Sequence, residues 1–420
     1  MRAPRQLAVL LGGDHVAMLD RTRSTLRLSY LDVARSPDAT PLSLALPPML
    51  GSHTGRSVEA YLDGLLPDSD AALAAIRRQY GADPRDRMSV LAAIGKDCAG
   101  AVQFCLPGEV DDVRARLGEL VPVSEGEIEQ RLAEMDVDEE ASWIMPGEHW
   151  SLGGTQQKFT LRRHADRWWL AHGSEPTTHI VKPGIRALKA QALAEHVSMR
   201  VAADLGLDVA RTEFTAFKSQ TAIVISRFDR SPDGDAGPVR RHQEDLCQAL
   251  GVTEKYEEYG GPSALDIITM LRAAAARPQQ ARANVERFVD ALLYSLVIGA
   301  PDAHARNYAV LLAGDQVELA PLYDVASGFG YGTGGQERKV SMSIGGSFLL
   351  QEIDSDAWRR FADAAGLDSE PLLDRLASMA DAAPEAFENA LAEVDDWHGQ
   401  AADLRERLLP RLRQHTARFS

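Results

Sequence analysis

The first hundred residues alternate apolar and polar positions over short runs. The run at 25–31, Thr-Leu-Arg-Leu-Ser-Tyr-Leu, is typical, and Gly, Asp and Pro separate such runs as far as Leu46. Alternation with a period of two predicts half-buried strands joined by turns. Three runs with helical spacing come next, at 57–66, 70–80 and 88–94. We expect these residues together to form one α+β unit.

Strand-like patterns return between Trp150 and Asp229 and then give way to helices. The apolar runs that predict strands in this segment are 159–162, 167–171, 179–182 and 221–226. One long amphipathic run, 189–206, interrupts them and predicts a helix. Later runs have helical spacing and cover 243–250, 264–276, 281–298, 355–365, 370–382 and 384–416. A β-rich lobe followed by a helical lobe is the layout of the protein-kinase superfamily, which is a fold-level analogy only.

These patterns predict an α+β protein with a kinase-like, two-lobed fold. It would have a β-rich N-lobe, a mainly α-helical C-lobe and an extra N-terminal α+β subdomain. The predicted divisions are 1–108 for the N-terminal subdomain, 109–149 for an acidic linker with some helix, 150–235 for the N-lobe and 236–420 for the C-lobe.

Composition then narrows the class of protein. Of the 420 residues, 45% are hydrophobic, and 45 Lys and Arg stand against 61 Asp and Glu, a formal net charge of −16. No run of about 18 consecutive apolar residues occurs, so a membrane span is not expected. The acidic balance argues against direct binding of nucleic acid and favours a basic protein partner. The three cysteines do not have the spacing of metal ligands, so structural zinc is not expected. Because no export signal is seen either, we expect a cytoplasmic protein.

The residues with the clearest chemical meaning lie in the segment 298–325. Asp302 precedes Asn307 by the interval between catalytic Asp and magnesium-binding Asn in a kinase catalytic loop, and Asp324 follows a predicted hairpin. Phosphoryl transfer uses such a set: one carboxylate deprotonates the attacking hydroxyl, while an amide oxygen and a second carboxylate hold Mg²⁺. Each residue alone could instead cap a turn. Their joint position at the ends of two strand-like apolar runs, 308–312 and 317–320, favours a phosphotransferase site.

An upstream lysine would complete such a site. Lys182 ends the alternating run 178–182 and could reach ATP phosphates, although a solvated lysine at a strand end is the ordinary alternative. Glu195, on the predicted helix that follows, could pair with Lys182 or lie in solvent.

Two further segments could contact a nucleotide. The turn 151–158, Ser-Leu-Gly-Gly-Thr-Gln-Gln-Lys, could cradle phosphates on its backbone amides, or its two glycines could form a plain hairpin turn. The segment 224–230 would form a hinge, with Phe228 packed against adenine or buried in the core.

Together these residues resemble the HipA family of serine/threonine-kinase toxins, which belong to bacterial type II toxin–antitoxin systems. The resemblance extends over nearly the whole chain. The segments that carry it are 41–47, 65–69, 94–104, 151–158, 178–183, 227–230, 242–251, 302–307 and 322–325. The first three match the family's small N-terminal subdomain.

The resemblance implies a role for each matching residue, with ATP and Mg²⁺ as cofactors. Asp302 would be the catalytic base, Asn307 and Asp324 the Mg²⁺ ligands, and Lys182 an ATP phosphate contact. The other implied nucleotide contacts are Gly153, Gly154, Thr155, Gln156, Gln157, Lys158, Arg227, Phe228, His304 and Tyr323. Ser151 matches the serine that family members autophosphorylate. A dianion there would repel the ATP phosphates, expel the loop and switch the kinase off.

The resemblance also implies partners. The substrate would be an aminoacyl-tRNA synthetase, with glutamyl-tRNA synthetase first, and its phosphorylation would halt translation and growth. A HipB-like helix-turn-helix dimer would be the antitoxin and would supply most of the contact with operator DNA. The excess acid of the chain would then lie away from the nucleotide cleft, where Lys158, Lys182 and Arg306 are expected to cluster.

Some positions depart from the family pattern, and two other functions stay open. The loop reads Gly-Gly-Thr-Gln-Gln-Lys, and Ser226 stands where the hinge usually has Glu. A lipid or small-molecule kinase is one alternative, because lipid kinases of the phosphoinositide type share the Asp-x-His-x-x-Asn spacing; against it, the sequence shows no basic amphipathic surface for membranes. A pseudokinase that serves as a co-repressor scaffold would not need the intact catalytic set.

Overall fold

The computed structural model describes residues 4–22, 25–36, 38–138, 140, 143–231 and 237–419. The chain divides into two units. Unit 1 comprises Met1–Pro183, Thr215–Thr253 and Ala309–Val317, and unit 2 comprises Gly184–Phe214, Glu254–Tyr308 and Glu318–Ser420. The predicted boundary at 235/236 lies outside the described residues.

Unit 1 contains most of the strands. The strands in the first 183 residues are β1 Gln6–Leu11, β2 Asp14–Thr22, β3 Thr25–Tyr30, β4 Ser52–Thr54, β5 Asp97–Cys98, β6 Val102–Cys105, β7 Leu120–Val123, β8 Trp150–Ser151, β9 Phe159–His164, β10 Arg167–Ala171 and β11 His179–Lys182. The later strands are β12 Thr212–Phe217, β13 Gln220–Ser226, β14 Arg230–Ser231, β15 Val239–Arg240, β16 His242–Asp245, β17 Ala309–Ala313 and β18 Gln316–Leu319, and the unit boundary falls within β12 and β18. The helices of unit 1 are α1 Arg56–Leu65, α2 Asp70–Tyr80, α3 Arg87–Ile94, α4 Val110–Arg114, α5 Glu125–Val137 and α7 Leu246–Leu250.

Two antiparallel sheets organise unit 1. The first has the strand order β4-β3-β2-β1-β6, and the second has the order β12-β13-β11-β9-β10-β7. The predicted alternation holds in β3, where Leu28 and Tyr30 are buried while Thr25 and Arg27 are exposed. One continuous hydrophobic core joins residues of the first sheet, such as Leu7, to residues of the second, such as Phe159 and Val224. The predicted N-terminal subdomain therefore shares its core with the predicted N-lobe.

The segment 109–149, predicted to be an acidic linker, is packed into unit 1. Strand β7 forms an edge of the second sheet, with Leu120 opposite Ala171 of β10. Helix α5 buries Ile128, Leu132 and Met135. The segment contains the predicted helix, but it belongs to the core of unit 1 and is not a free linker, because α5 buries apolar residues at helical spacing while most of its acidic residues face solvent.

Unit 2 is mainly helical. Its helices are α6 Gln191–Asp204, α8 Ala264–Ala274, α9 Pro278–Val297, α10 Ser355–Ala365, α11 Ser369–Glu393 and α12 Gln400–Thr416, and its hairpin is β19 Lys339–Ile344 with β20 Ser347–Leu349. The runs 370–382 and 384–416 were predicted as separate helices, but α11 runs through Pro384. Burial of Ala383 and Phe387 beside it outweighs the loss of one backbone hydrogen bond. The break comes instead between α11 and α12, where Gly399 has a φ of 73°.

The predicted α+β class, with a β-rich part and a mainly helical part, is confirmed. Among the helices that the structure describes, none has both the length and the apolar character needed to cross a lipid bilayer.

Candidate active site

The loop that carries Asp302 begins where helix α9 ends. Gly299 follows that helix with a φ of 59°, and a Cβ at this position would lie 2.5 Å from the Phe329 ring. Only glycine meets both conditions without strain. The loop is also held by Ser341, whose Oγ donates to the Pro301 carbonyl at 2.9 Å. The chain therefore enters the candidate site along a fixed path.

Asp302 and Asn307 form one hydrogen-bonded loop in unit 2. The Nδ2 of Asn307 donates to the backbone carbonyl of Asp302 at 2.5 Å, and the Asn307 backbone N–H donates to the His304 carbonyl at 2.9 Å. These bonds fix the amide of Asn307, which is 8% exposed, and reserve its Oδ1 as an acceptor. The side chain of Asp302 is 60% exposed. The loop thus presents the exposed carboxylate of Asp302 and the amide of Asn307, which is held in one orientation.

The carboxylate of Asp302 has two aromatic neighbours. Tyr256 Oη donates to Asp302 Oδ1 at 2.7 Å, and His304 Nε2 lies 3.5 Å from the same oxygen. The rings of Tyr256 and His304 pack edge to face with centroids 4.9 Å apart. His304 is 3% exposed, and this burial lowers its pKa, against the opposing charges of Asp302 and Asp324. Burial therefore favours the neutral imidazole, whose ring packs against Tyr256.

Asp324 reaches the same region from the segment that follows β18. Leu322 pairs with Val209 in a parallel bridge, and the Leu322 N–H donates to the Asp208 carbonyl at 2.8 Å. Tyr323 Oη donates to the Arg306 carbonyl at 2.7 Å, which joins this segment to the loop 302–307. Asp324 itself is exposed and has a φ of 59°. Its carboxylate lies close enough to His304 to influence the His304 pKa.

The donor set fits a magnesium ion. Among the described residues, no group of three or more His, Cys, Asp and Glu side chains could hold a metal. Mg²⁺ does not need such a group, because it usually takes one or two protein oxygens and completes its shell with water and substrate phosphate. The Oδ1 of Asn307 and the carboxylate of Asp324 are oxygen donors of this kind.

The glycine-bearing loop predicted to contact phosphates lies in unit 1. It starts at Ser151 in β8, which pairs in parallel with β5. Ser151 is fully buried, and its Oγ donates to the Leu65 carbonyl at 2.6 Å. Gly154 has a φ of 97°, and a Cβ at Gly153 would lie 2.8 Å from the Gly64 carbonyl. Both glycines are therefore required by the backbone.

The side chains after these glycines differ in their surroundings. Thr155 is exposed and Gln156 is half-buried. Lys158 is 6% exposed, and its Nζ donates to the Gly153 carbonyl, which closes the loop on itself. The buried Nε2 of Gln157 has no hydrogen-bond partner among the described residues. The loop thus holds one buried cation and one unsatisfied donor.

Lys182 and Glu195 were predicted as a possible pair. Lys182 ends β11, opposite Ile223 of β13, and is 4% exposed. The alternative of a solvated lysine is therefore wrong. Glu195 lies on α6 in unit 2 and is 1% exposed, so it is not a solvated helix residue either. The pairing of these two residues stays a prediction.

Arg227 belongs to a buried ion cluster in unit 1. Its guanidinium donates to Asp229 Oδ2 at 2.7 Å, to the Cys98 carbonyl at 2.8 Å and to Thr177 Oγ1 at 2.9 Å. Asp97 accepts from three arginines of this cluster, Arg227, Arg230 and Arg240. A nucleotide contact by Arg227 would break these bonds, so we assign its side chain to the fold. Phe228, next in the chain, is half-buried, and its contact with adenine stays a prediction.

Sequence reasoning missed Tyr256, which contacts Asp302 from 46 residues earlier in the chain. No local pattern marks this tyrosine. His304 and Tyr323 were predicted to flank the nucleotide, which stays a prediction. His304 lies within the loop 302–307, near Asp302, and Tyr323 donates to the Arg306 carbonyl of the same loop.

Comparisons with known proteins agree with the resemblance seen in the sequence. The family model described as HipA N-terminal domain matches residues 7–105, and the one described as HipA-like C-terminal domain matches residues 150–387. The putative kinase Y4mE of Sinorhizobium fredii is 33% identical over 369 residues, which cover 86% of each chain. The serine/threonine-protein kinase toxin HipA of Shewanella oneidensis is 30% identical over 365 residues, 83% of this chain and 80% of that protein.

A solved structure extends the likeness to the fold. The Shewanella oneidensis MR-1 toxin–antitoxin complex of HipA, HipB and operator DNA contains a chain that matches with a TM-score of 0.83. The match covers 98% of this chain and 97% of that chain, at 26% sequence identity. With two family models matched in order and a full-length structural match, the chain belongs to the HipA family.

Proposed function

We propose that this protein is a serine/threonine-protein kinase toxin of the HipA type. One observation carries the proposal: the loop from Asp302 to Asn307 holds an exposed carboxylate and an oriented amide, with the exposed carboxylate of Asp324 close by. This is the set that phosphoryl transfer from ATP requires. Asp302 would accept a hydrogen bond from the serine or threonine hydroxyl and take its proton as the oxygen bonds to the γ-phosphorus, while the bond from that phosphorus to the bridging oxygen breaks and ADP leaves.

ATP and Mg²⁺ are the proposed cofactors. Asn307 and Asp324 would hold the Mg²⁺, which when bound neutralises charge on the phosphates. Lys182, with the loop from Gly153 to Lys158, would bind the phosphates through a cation and backbone amides. The buried position of Lys182 and Lys158 supports this role, because a desolvated cation interacts strongly with an anion.

Ser151 is the proposed site of inhibitory autophosphorylation. Its hydroxyl is fully buried and donates to the Leu65 carbonyl. A phosphate with a charge of about −2 would be strongly destabilised in such a buried environment. Phosphorylation would therefore require β8 and the following loop to leave their positions, and this displacement would remove the phosphate-binding loop.

The proposed partners follow from the family. The antitoxin would be a HipB-like helix-turn-helix dimer that makes most of the operator contact. A HipB-like partner is supported by the solved Shewanella oneidensis complex, which contains HipA, HipB and operator DNA. The acidic charge of this chain, −16 in total, suits a basic partner of that kind. The proposed target is an aminoacyl-tRNA synthetase, with glutamyl-tRNA synthetase tested first.

The test uses purified protein and γ-labelled ATP with Mg²⁺. Wild type and Asp302→Ala are incubated with and without glutamyl-tRNA synthetase, and labelled residues are mapped by mass spectrometry. The proposal predicts label on Ser151 and on the synthetase with wild type only. Label on lipid would support the alternative of a lipid kinase. Absence of any transfer, with operator binding through an antitoxin intact, would support a pseudokinase scaffold.

A further inference from the structure

Tyr256 is bonded directly to the carboxylate of Asp302. Its hydroxyl donates to Oδ1 at 2.7 Å, and among the described residues it is the one hydroxyl that does so. The other close group, His304 Nε2, lies 3.5 Å from the same oxygen. Both neighbours therefore act on Oδ1, and Oδ2 carries no bond from the described part of the protein.

The backbone of Tyr256 is fixed on both sides. Its N–H donates to the Glu254 carboxylate at 3.1 Å, and its carbonyl accepts from the Gly261 N–H at 2.9 Å. The preceding carbonyl, that of Lys255, accepts from Ala305 in the catalytic loop at 3.4 Å. The tyrosine ring packs against His304. The hydroxyl is thus held in one place relative to Asp302.

Asp302 needs such support because most of its side chain is in solvent. An exposed carboxylate rotates freely between staggered positions, whereas a general base must point one oxygen at the hydroxyl it deprotonates. Burial, together with the bond to Asp302 and its charge, raises the pKa of Tyr256 well above its usual value. The tyrosine therefore remains a donor throughout the physiological pH range.

We propose that Tyr256 is a positioning residue, which holds Oδ1 of Asp302 so that Oδ2 faces the hydroxyl of the substrate. This inference rests on the proposed kinase function and adds a residue to it. The effect of Tyr256 is on the rate of the chemical step, because the hydroxyl contacts the base and none of the residues proposed to bind ATP.

The test compares Tyr256→Phe with Tyr259→Phe. Both variants lose one phenolic oxygen and keep the ring, and Tyr259 is 71% exposed with no bond to Asp302. Each protein is assayed with labelled Mg·ATP and myelin basic protein as acceptor, beside wild type and Asp302→Asn. For Tyr256→Phe we expect kcat to fall about ten-fold or more, since loss of orientation at a reacting group has costs of this order. The KM for ATP and the thermal midpoint should stay at the wild-type values, and Tyr259→Phe should match wild type in all three.

Three results would overturn the inference. One is a wild-type kcat in Tyr256→Phe; another is a parallel change in kcat, KM and thermal midpoint, which would make the bond merely structural. A third is phosphate on Tyr256 in wild type, which would make it an acceptor. Failure of the kinase proposal looks different, because wild type would then transfer no more label than Asp302→Asn.

Discussion

Asn307 donates from its side-chain amide to the backbone carbonyl of Asp302, across an interval of five residues. The bond ties the proposed Mg²⁺ ligand to the proposed base and fixes which atom of the amide is left to bind a cation. The interval between Asp302 and Asn307, which predicted a function from the sequence, is therefore also the interval at which this hydrogen bond forms.

Asp324 combines a functional carboxylate with an unusual backbone. Its φ of 59° lies in the left-handed region, which Asn tolerates better than most residues and Ala poorly. We expect Asp324→Asn to abolish nearly all phosphoryl transfer at nearly unchanged stability, and Asp324→Ala to lose about 1 kcal/mol of stability as well. Labelled ATP and chemical denaturation measure the two effects. Equal stability of the two variants would show that the backbone is not constrained here.

A buried ion pair holds the segment that was predicted to be a linker. Arg131 donates to both oxygens of Glu148 at 2.8 and 2.9 Å, and their side chains are 7% and 1% exposed. Glu148→Gln should lower the free energy of unfolding by about 3–5 kcal/mol, because it leaves a buried charge unpaired. The matched control is Glu140→Gln, which removes the exposed pair of Glu140 with Arg78 and should cost less than about 1 kcal/mol. Similar losses in the two variants would contradict this.

The buried hydroxyl of Ser151 makes its environment intolerant of charge. Ser151→Ala loses one hydrogen bond to the Leu65 carbonyl, which should lower the free energy of unfolding by about 1 kcal/mol. Ser151→Asp buries a carboxylate. It should lower the free energy of unfolding by about 3 kcal/mol or more, or displace the loop. Denaturation and limited proteolysis near residue 151 report these outcomes, with Ser52→Asp on exposed β4 as the control. A Ser151→Asp protein as stable and protease-resistant as wild type would be inconsistent with the proposed switch.

Glu244 should make stability fall with rising pH. It is fully buried, and one oxygen accepts from the Leu44 N–H at 2.8 Å while the other has no partner among the described residues. Burial raises the pKa of Glu244 to about 8. The folded state therefore holds a proton that the unfolded chain releases above pH 4.5 or so, and stability is lost as the pH rises toward 8.

Glu244→Gln removes this dependence. We expect the variant to gain stability relative to wild type at pH 9, on the order of a few kcal/mol, with a smaller difference at pH 5. Urea denaturation at the two pH values measures it, and Glu119→Gln, at an exposed position, should change little at either. A Glu244→Gln effect that is the same at both pH values would refute the assignment.

The elements around the candidate site that were predicted correctly are local in sequence. The apolar runs around the catalytic loop were predicted as strands at 308–312 and 317–320, and the structure has β17 at Ala309–Ala313 and β18 at Gln316–Leu319. The interval from Asp302 to Asn307 spans one loop. Such features depend on neighbouring residues, which the sequence displays directly.

The parts that were missed depend on distant contacts. Tyr256 meets Asp302 across 46 residues, and Arg227 meets Asp97 across 130. Arg227 stands in a segment expected to form a hinge. Asp229, two residues on, accepts from it, but nothing nearby in sequence indicates its second carboxylate partner, Asp97. The linker prediction for 109–149 rested in the same way on local composition. It could not show that Arg131 and Glu148, 17 residues apart in this segment, pair with each other in the core.

The central claim is that Asp302 is the base of a phosphoryl transfer. Its most direct test is the rate of transfer from labelled Mg·ATP by wild type and Asp302→Asn, with Asp315→Asn in the exposed turn between β17 and β18 as a control for lost charge. We expect Asp302→Asn to fall by about 10²–10⁴-fold and Asp315→Asn to equal wild type. An Asp302→Asn protein that transfers phosphate at the wild-type rate would contradict the account.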